Sequence, residues 1–360
     1  MTDSSDLTED NEKFRFSWDD FPALTQTPGT GGVIRQELAD FVVKELALYE
    51  PQGSGSHAYA LVEKQGLTTR DLVLILMREG LKENEIGVAG LKDKYAITTQ
   101  WLSVPNRHAE LLDKLDDHEG VRVLERSRHK NKLGIGHLAG NHFEIRVRQT
   151  SAVASQLASD SLEQLVHHGV PNYFGPQRFG RFANNAVDGL KLIRGEHVPG
   201  GRRLKAFFIS SVQSLLFNHM LAARIKEGLF QKVVLGDWAK KHDTGGVFKV
   251  EDETESARAE RFDISATLPL YGKKVKVSDA IAGEREQASL DYYGLRWIDF
   301  SSRRGDRRYS RIKIQNASIR PEEDGYTVIF DLPRGSFATN VLRELTKTPV
   351  DELSEAEVDT

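Results

Sequence analysis

Two stretches of alternating side chains, HFEIRVR at His142–Arg148 and YTVIF at Tyr326–Phe330, lie far apart in the chain and most constrain its fold. A period of two is the mark of a strand. The same signature is predicted earlier, at Asp40–Glu45 (DFVVKE), His57–Lys64 (HAYALVEK) and Ala96–Val104. On the last of these, Ile97, Thr99, Trp101 and Ser103 face one way, and Ala96, Thr98, Gln100, Leu102 and Val104 face the other. Helical signals interrupt the strands. Thr68 or Thr69 caps a helix from about Arg70, with Leu72, Ile75, Leu76 and Glu79 on one face, and a second helical turn runs near Leu81–Ile86. The character changes after about residue 165. A loop of Gly, aromatic and Arg residues at Pro171–Arg181 is followed by a helix at Lys205–Glu227, with Phe208, Val212, Leu215, Leu216 and Met220 at helical spacing. At the end the strand signature returns. Pro333-Arg334-Gly335 then reads as a turn, and Ser336 as the N-cap of a helix over Phe337–Leu345. The expectation is an α+β fold with a mixed sheet. Early and late segments can share that sheet with the middle inserted, which periodicity alone does not establish.

The chain has 360 residues, enough for two domains or one large interrupted one. Cysteine is absent, which excludes disulfides, a thiolate nucleophile and Cys-ligated zinc. The polar, acidic start MTDSSDLTEDNEK is unlike a signal peptide, and residues 1–30 read as a flexible N-terminus. The plainly apolar run Leu72–Met77 is too short to cross a bilayer. A cytoplasmic protein with no membrane association is expected.

Net charge is −4, which by itself argues against nucleic acid. The charge is unevenly placed, however, and binding follows local patches. Acid gathers at the ends, over Asp3–Glu12 and Glu352–Asp359. Base gathers inside: Arg303, Arg304, Arg307, Arg308, Arg311 and Lys313; Arg122, Arg126, Arg128, Lys130 and Lys132; and Arg202, Arg203 and Lys205. Any one run reads as a solvated face, whereas three in an acidic chain point to a polyanion partner.

Few catalytic motifs are present. No histidine forms an H-x-x-x-H pair with an acid, so metal-dependent hydrolysis has no support, and no metal is expected. Gly134-Ile135-Gly136 has the wrong spacing for a dinucleotide loop. A P-loop and a G-x-S-x-G elbow are missing. What stands out is G-L-K-D-K at 90–94, one carboxylate, Asp93, between two lysines at the mouth of a strand. It reads either as a surface turn or as a carboxylate that neighbouring cations keep ionised to act on a sugar or a pyrimidine. Asn141-His142-Phe143 reads either as a turn and a core ring or as a platform for an extruded base. The loop Tyr173–Arg181 suits stacking and phosphate contact with RNA as well as it suits internal packing.

Taken in order, AGLKDKYAITTQW (89–101), GNHFEI (140–145), NYFGPQRFGR (172–181) and RGSFATNVLREL (334–345), with DFVVKE (40–45), resemble the signature segments of the TruD family of tRNA pseudouridine synthases. The resemblance runs from about residue 30 to 347. It implies a pseudouridine-synthase catalytic domain with a mixed sheet, split over 31–166 and 314–348. That domain is interrupted by an inserted α+β TRUD domain at 167–313, and an acidic tail follows at 349–360. It implies isomerisation of uridine 13 in tRNA without a cofactor. Separately, a monomer is expected. Asp93 takes the position of the catalytic aspartate, and Phe41, Asn141, Phe143 and Phe337 those of the substrate pocket. Where related enzymes use a tyrosine in the pocket, this sequence has a phenylalanine, here assigned to Phe143. Lys92 is the expected supporting cation. Arg178, Arg181, Arg202, Arg203, Arg303, Arg304, Arg307 and Arg308 are the candidates for holding RNA phosphates. An RNA glycosidase and a non-catalytic RNA-binding module are the competing readings of the same residues.

Overall fold

In the computed structural model, residues 11–348 are described, and they divide into two compact units. One unit comprises Thr27–Val166, Lys313–Ala338 and the residues from Leu342 on; the other comprises the described residues up to Gln26, His167–Ile312 and Thr339–Val341. The acidic tail at 349–360 lies outside the described residues.

Six strands precede the middle of the chain: β1 (Phe41–Ala47), β2 (His57–Gln65), β3 (Gly87–Val88), β4 (Ile97–Pro105), β5 (Val121–His129) and β6 (Leu138–Arg148). The middle adds β7 (Val170–Pro171), β8 (Trp238–Lys241), β9 (Val247–Lys249), β10 (Ile264–Leu270), β11 (Asp306–Tyr309) and β12 (Arg311–Ile312). The end adds β13 (Gln315–Glu322) and β14 (Gly325–Pro333).

In the first unit the strands run in the order β13-β14-β6-β1-β4-β2-β5, with β3 paired to β4. The β1–β4 pair is parallel and the other pairs are antiparallel, so the sheet is mixed. Early and late segments do share it: β14 lies along β6 from Gly325 opposite Arg148 to Pro333 opposite Gly140. Paired residues point to the same face. Val43 is opposite Phe143, which is opposite Phe330, and Glu45 is opposite Asn141. Phe41, Val43, Glu45, Asn141 and Phe143 therefore share one face. The other face is polar here, with Lys44 bonded to Glu144 and His142 to Asp331.

Helix Thr69–Arg78 starts at a capping box, with Thr68 as N-cap and Asp71 returning the bond. Its Leu72, Ile75 and Leu76 pack on Ala60, Val62, Leu102 and Val104. Glu79, expected on that face, is exposed at the C-cap, because the helix ends one residue before it. The turn expected near Leu81–Ile86 is a short 3-10 segment, Glu83–Glu85. The last helix is Ala338–Thr346, and its N-cap is Phe337 rather than Ser336.

In the second unit a four-stranded sheet, β11-β10-β8-β9, and the pair β12-β7 accompany the helices. The longest helix, Arg202–Lys226, has 25 residues and starts three residues before its expected position. By length and hydropathy it would cross a membrane, but 67% of the relevant window is buried within the molecule. Its Val212, Leu215, Leu216 and Leu221 form the core with Tyr173, Phe174 and Phe179.

The flexible N-terminus expected over 1–30 is corrected for the residues described. Phe14, Phe16, Trp18 and Phe21 are buried, and Phe16 stacks on Phe179 with ring centroids 4.3 Å apart. Four aromatic rings lose too much by solvation to stay loose, and a reading of local polarity could not see their partners. Residues 28–32, a run of Pro, Gly and Thr, are also tied down. The Thr30 and Gly31 N–H groups donate to the carbonyls of Leu345 and Thr346 at 3.0 and 3.1 Å. Gly29 is required there, since a Cβ would lie 2.4 Å from the Thr346 carbonyl oxygen.

Candidate active site

Asp93 lies on the segment between β3 and β4, and its neighbours are fixed at several points. The Lys92 N–H donates to Thr69 Oγ1 at 2.8 Å, and Thr69 Oγ1 donates to Gln100 Oε1 at 2.8 Å. From β2, the fully buried Lys64 donates through Nζ to the Asp93 carbonyl oxygen at 2.8 Å and to the Leu67 carbonyl. The main chain of the acid is thus held by a cation. Its carboxylate, 62% exposed, remains free to meet a solute.

The Lys64 ammonium is pulled down to about 8, first by burial and then against the opposing pull of Asp93; Lys92 lowers it further and Asp71 raises it. Its charge is tolerated because its protons are bonded and acid is close.

The cation beside the carboxylate is Arg35, with Nη2 3.6 Å from Asp93 Oδ2. Burial lowers the Arg35 pKa and Asp93 works against that. The guanidinium lies over the Phe41 ring at 4.2 Å from its centroid, a cation–π contact. Arg35 adopts a left-handed backbone (φ 58°), uncommon for a side chain of this size, and such strain is kept where surrounding structure enforces it.

Lys92, the supporting cation expected from the sequence, turns inward instead. Its Nζ donates to Glu45 Oε2 at 3.0 Å and to Asn141 Oδ1 at 2.9 Å. Glu45 is raised above the usual carboxylate range by burial, with Lys92 opposing. The physical reason for the correction is alternation. Glu45 and Asn141 share the inner face of the sheet, and a carboxylate with 1% of its side chain exposed needs an ammonium there. Lys92 supports the site by donating to the side-chain oxygen of Asn141, which fixes that amide.

Phe41 and Phe143 are nearly buried, and Phe143 stacks on Phe330 at 5.3 Å. They form a floor rather than an open slot. Phe337, 37% exposed, stands on the N-cap of the last helix, four residues past the Pro333–Gly140 pair. The sheet brings Phe41, Asn141, Phe143 and the Asp93 segment together, whereas Phe337 stands on a different element, at the start of the last helix. Sequence reading missed Arg35, Lys64 and Glu45. A cation close before the DFVVKE strand was the one available signal for Arg35.

A family model described as tRNA pseudouridine synthase D (TruD) matches residues 21–199 and 201–345. The chain belongs to this family. It is 47% identical over 339 residues to the tRNA pseudouridine synthase D of Thermus thermophilus, covering 94% of this chain and 95% of the relative. It is 43% identical over 353 residues to that of an Anaeromyxobacter species, covering 94% and 99%. The crystal structure assigned to tRNA pseudouridine synthase D from Methanosarcina mazei superposes with a TM-score of 0.75 at 24% identity, over 95% of this chain and 98% of that one, a likeness of fold.

The arginines expected to hold RNA in this family member all fall in the second unit, and they divide. Arg307 is turned inward onto Glu286 and the Thr267 carbonyl. Arg308 bonds Asn172 and lies over Phe174. Adjacent on β11, they leave it on opposite faces, yet each meets internal partners, and both are poor phosphate ligands. Arg311, in the same run, is also buried, bonded to Ser265 and to backbone carbonyls. Arg181, Arg202, Arg203 and Arg304 are exposed, while Arg178 and Arg303 are half-buried.

Proposed function

We propose that the chain converts uridine 13 of tRNA to pseudouridine with Asp93 as the catalytic carboxylate. Membership of the tRNA pseudouridine synthase D family carries the reaction type: the glycosidic bond C1′–N1 breaks, the uracil turns, and C1′–C5 forms. The C5 hydrogen leaves as a proton and N1 gains one, so the product keeps the mass of the substrate. The observation that carries the role of Asp93 is its setting, an accessible carboxylate on a backbone pinned by Lys64 and 3.6 Å from Arg35. An acid so placed serves as a nucleophile or as a base at the sugar. The target must leave its stack, at a cost of a few kcal/mol. Packing of the base against Phe337, with Phe41 and Phe143 beneath, offsets that, since stacking contributes about 1–3 kcal/mol per base. In this reading the Asn141 amide, whose oxygen accepts from Lys92, donates to a uracil oxygen. The same reading takes the protein as a monomer of the cytoplasm that needs no cofactor.

The test is tritium release from tRNA carrying 5-tritiated uridine. Wild type releases tritium and leaves pseudouridine at nucleotide 13. Asp93→Asn binds the tRNA and releases none, and Asp93→Glu loses at least about a hundredfold, the usual effect of a 1 Å misplacement. Full activity in Asp93→Asn would remove the residue from the reaction, and free uracil in place of pseudouridine would make the enzyme a glycosidase.

A further inference from the structure

The second unit holds a group of guanidinium ions that its own acids leave unbalanced. Arg178 lies between two rings, 5.2 Å from the Phe174 centroid and 5.1 Å from that of Phe207. Arg308 lies over the same Phe174 ring at 4.3 Å. Arg303 donates through Nη2 to Ser210 Oγ at 3.0 Å, and the adjacent Ser211 bonds the Arg178 carbonyl at 2.8 Å. No carboxylate among the described residues lies within ion-pair distance of Arg178 or Arg303. Most arginines that are only partly exposed elsewhere in the chain have one, as Arg224 has Asp237 and Arg307 has Glu286. Two half-buried guanidinium groups, Arg178 and Arg303, with no such acid, repel one another. Burial lowers the Arg178 pKa and Arg303 adds to it; burial takes Arg308 down to about 9 and Arg178 adds to that. Such an arrangement costs stability in the free protein and is relieved by an anion.

We propose that Arg178 and Arg303 form a phosphate-binding site in the inserted unit, which takes a backbone phosphate of the tRNA. Planar guanidinium groups suit bidentate contact with phosphate oxygens, and the rings of Phe174 and Phe207 fix the plane of Arg178. The neighbouring loop argues for nucleic acid over a free anion. Phe182 is 74% exposed, and the Arg181 guanidinium lies 5.9 Å from its ring centroid. An exposed ring beside a phosphate site is what a nucleobase next to that phosphate stacks on. The inference rests on the reading of tRNA as substrate.

The experiment measures tRNA affinity against salt, together with kinetics and melting, for Arg303→Gln, Arg178→Gln and Phe182→Ala in the full chain. Each arginine variant is expected to raise KM about tenfold to a hundredfold, the worth of a charge-assisted hydrogen bond, with kcat unchanged. The slope of log Kd against log salt should drop by roughly 0.7–0.9 for each arginine removed. Arg303→Gln should melt at or above the wild-type temperature, because like-charge repulsion is relieved. A lower Tm for both arginine variants with an unaltered salt slope would make them structural and overturn the proposal. Wild-type KM and slope in both variants would overturn it too, while tritium release by the wild type left the functional reading standing. Phe182→Ala should raise KM without altering the salt slope. A changed slope there, or an unaltered KM, would detach the ring from the site and leave a free anion as the occupant. Loss of affinity to inorganic phosphate competition equal for wild type and Arg303→Gln would likewise exclude this site.

Discussion

An ammonium with no exposed surface is stable only where its protons are bonded, and Lys64 gives two of them to the carbonyls of Leu67 and Asp93. This makes it a positioning residue for the carboxylate, acting through the peptide of Asp93. Lys64→Met should lower kcat about a hundredfold with little change in KM, measured by single-turnover tritium release. Acidity gives a second readout. Because the folded pKa of Lys64 is lowered to about 8, the folded chain releases that proton first as pH rises. Between about 8 and the ordinary lysine value near 10.5, the unfolded chain binds a proton that the folded one does not. The contribution of this group to the unfolding free energy therefore rises across that window, while catalysis falls as the charge under Asp93 is lost. Wild-type kcat should decline above pH 8, and the residual activity of Lys64→Met should not. The exposed turn that carries Asp93 was legible in the sequence, because an acid between two lysines after a glycine is a local signal. The partner of Asp93 was not. Lys92 adjoins it in sequence, but its side chain enters the opposite side of the turn, and Arg35 arrives from a loop nearly sixty residues earlier.

Among the elements, strands were legible where one face is polar. HAYALVEK and HFEIRVR alternate and both are strands, the first within one residue of the expected limits and the second starting four residues earlier, at Leu138. Helix ends were less so. Phe337 reads as helical after the Ser336 cap signal, yet it is itself the N-cap, in extended conformation (φ −114°, ψ 126°). Close packing of elements is also invisible in composition. Helices Asn185–Ile193 and Arg202–Lys226 approach at Gly189, where a Cβ would lie 2.3 Å from the Phe208 carbonyl oxygen and 2.6 Å from Val212. Gly189→Ala gains helix propensity, but the overlap dominates. A net loss of about 1–3 kcal/mol is expected in urea unfolding, from forced separation of the two helices. An unchanged urea midpoint would show that the helices part freely there.

Over the whole molecule, the first residues described are part of a core. Phe21 is buried against Phe16, Trp18 and Tyr173, and Phe21→Ala should cost about 3–5 kcal/mol, read as a lower urea midpoint for the second unit. A loose leader would give no change. The polar run that precedes these rings masked them in the sequence, whereas the change of character after about residue 165 was visible in its loop of Gly, aromatic and Arg residues. The same insertion sets a schedule for the ribosome. Strand β6 is flanked by β1 and β14, and β14 is made only after the entire middle of the chain. At ~5–20 residues per second, the roughly 175 intervening residues keep that hydrogen-bonding edge bare for about ten to thirty seconds. A nascent chain with such an edge invites pairing with its neighbours. Slow codons or cold within the inserted segment should therefore raise the aggregated fraction, and the same delay placed after residue 333 should not.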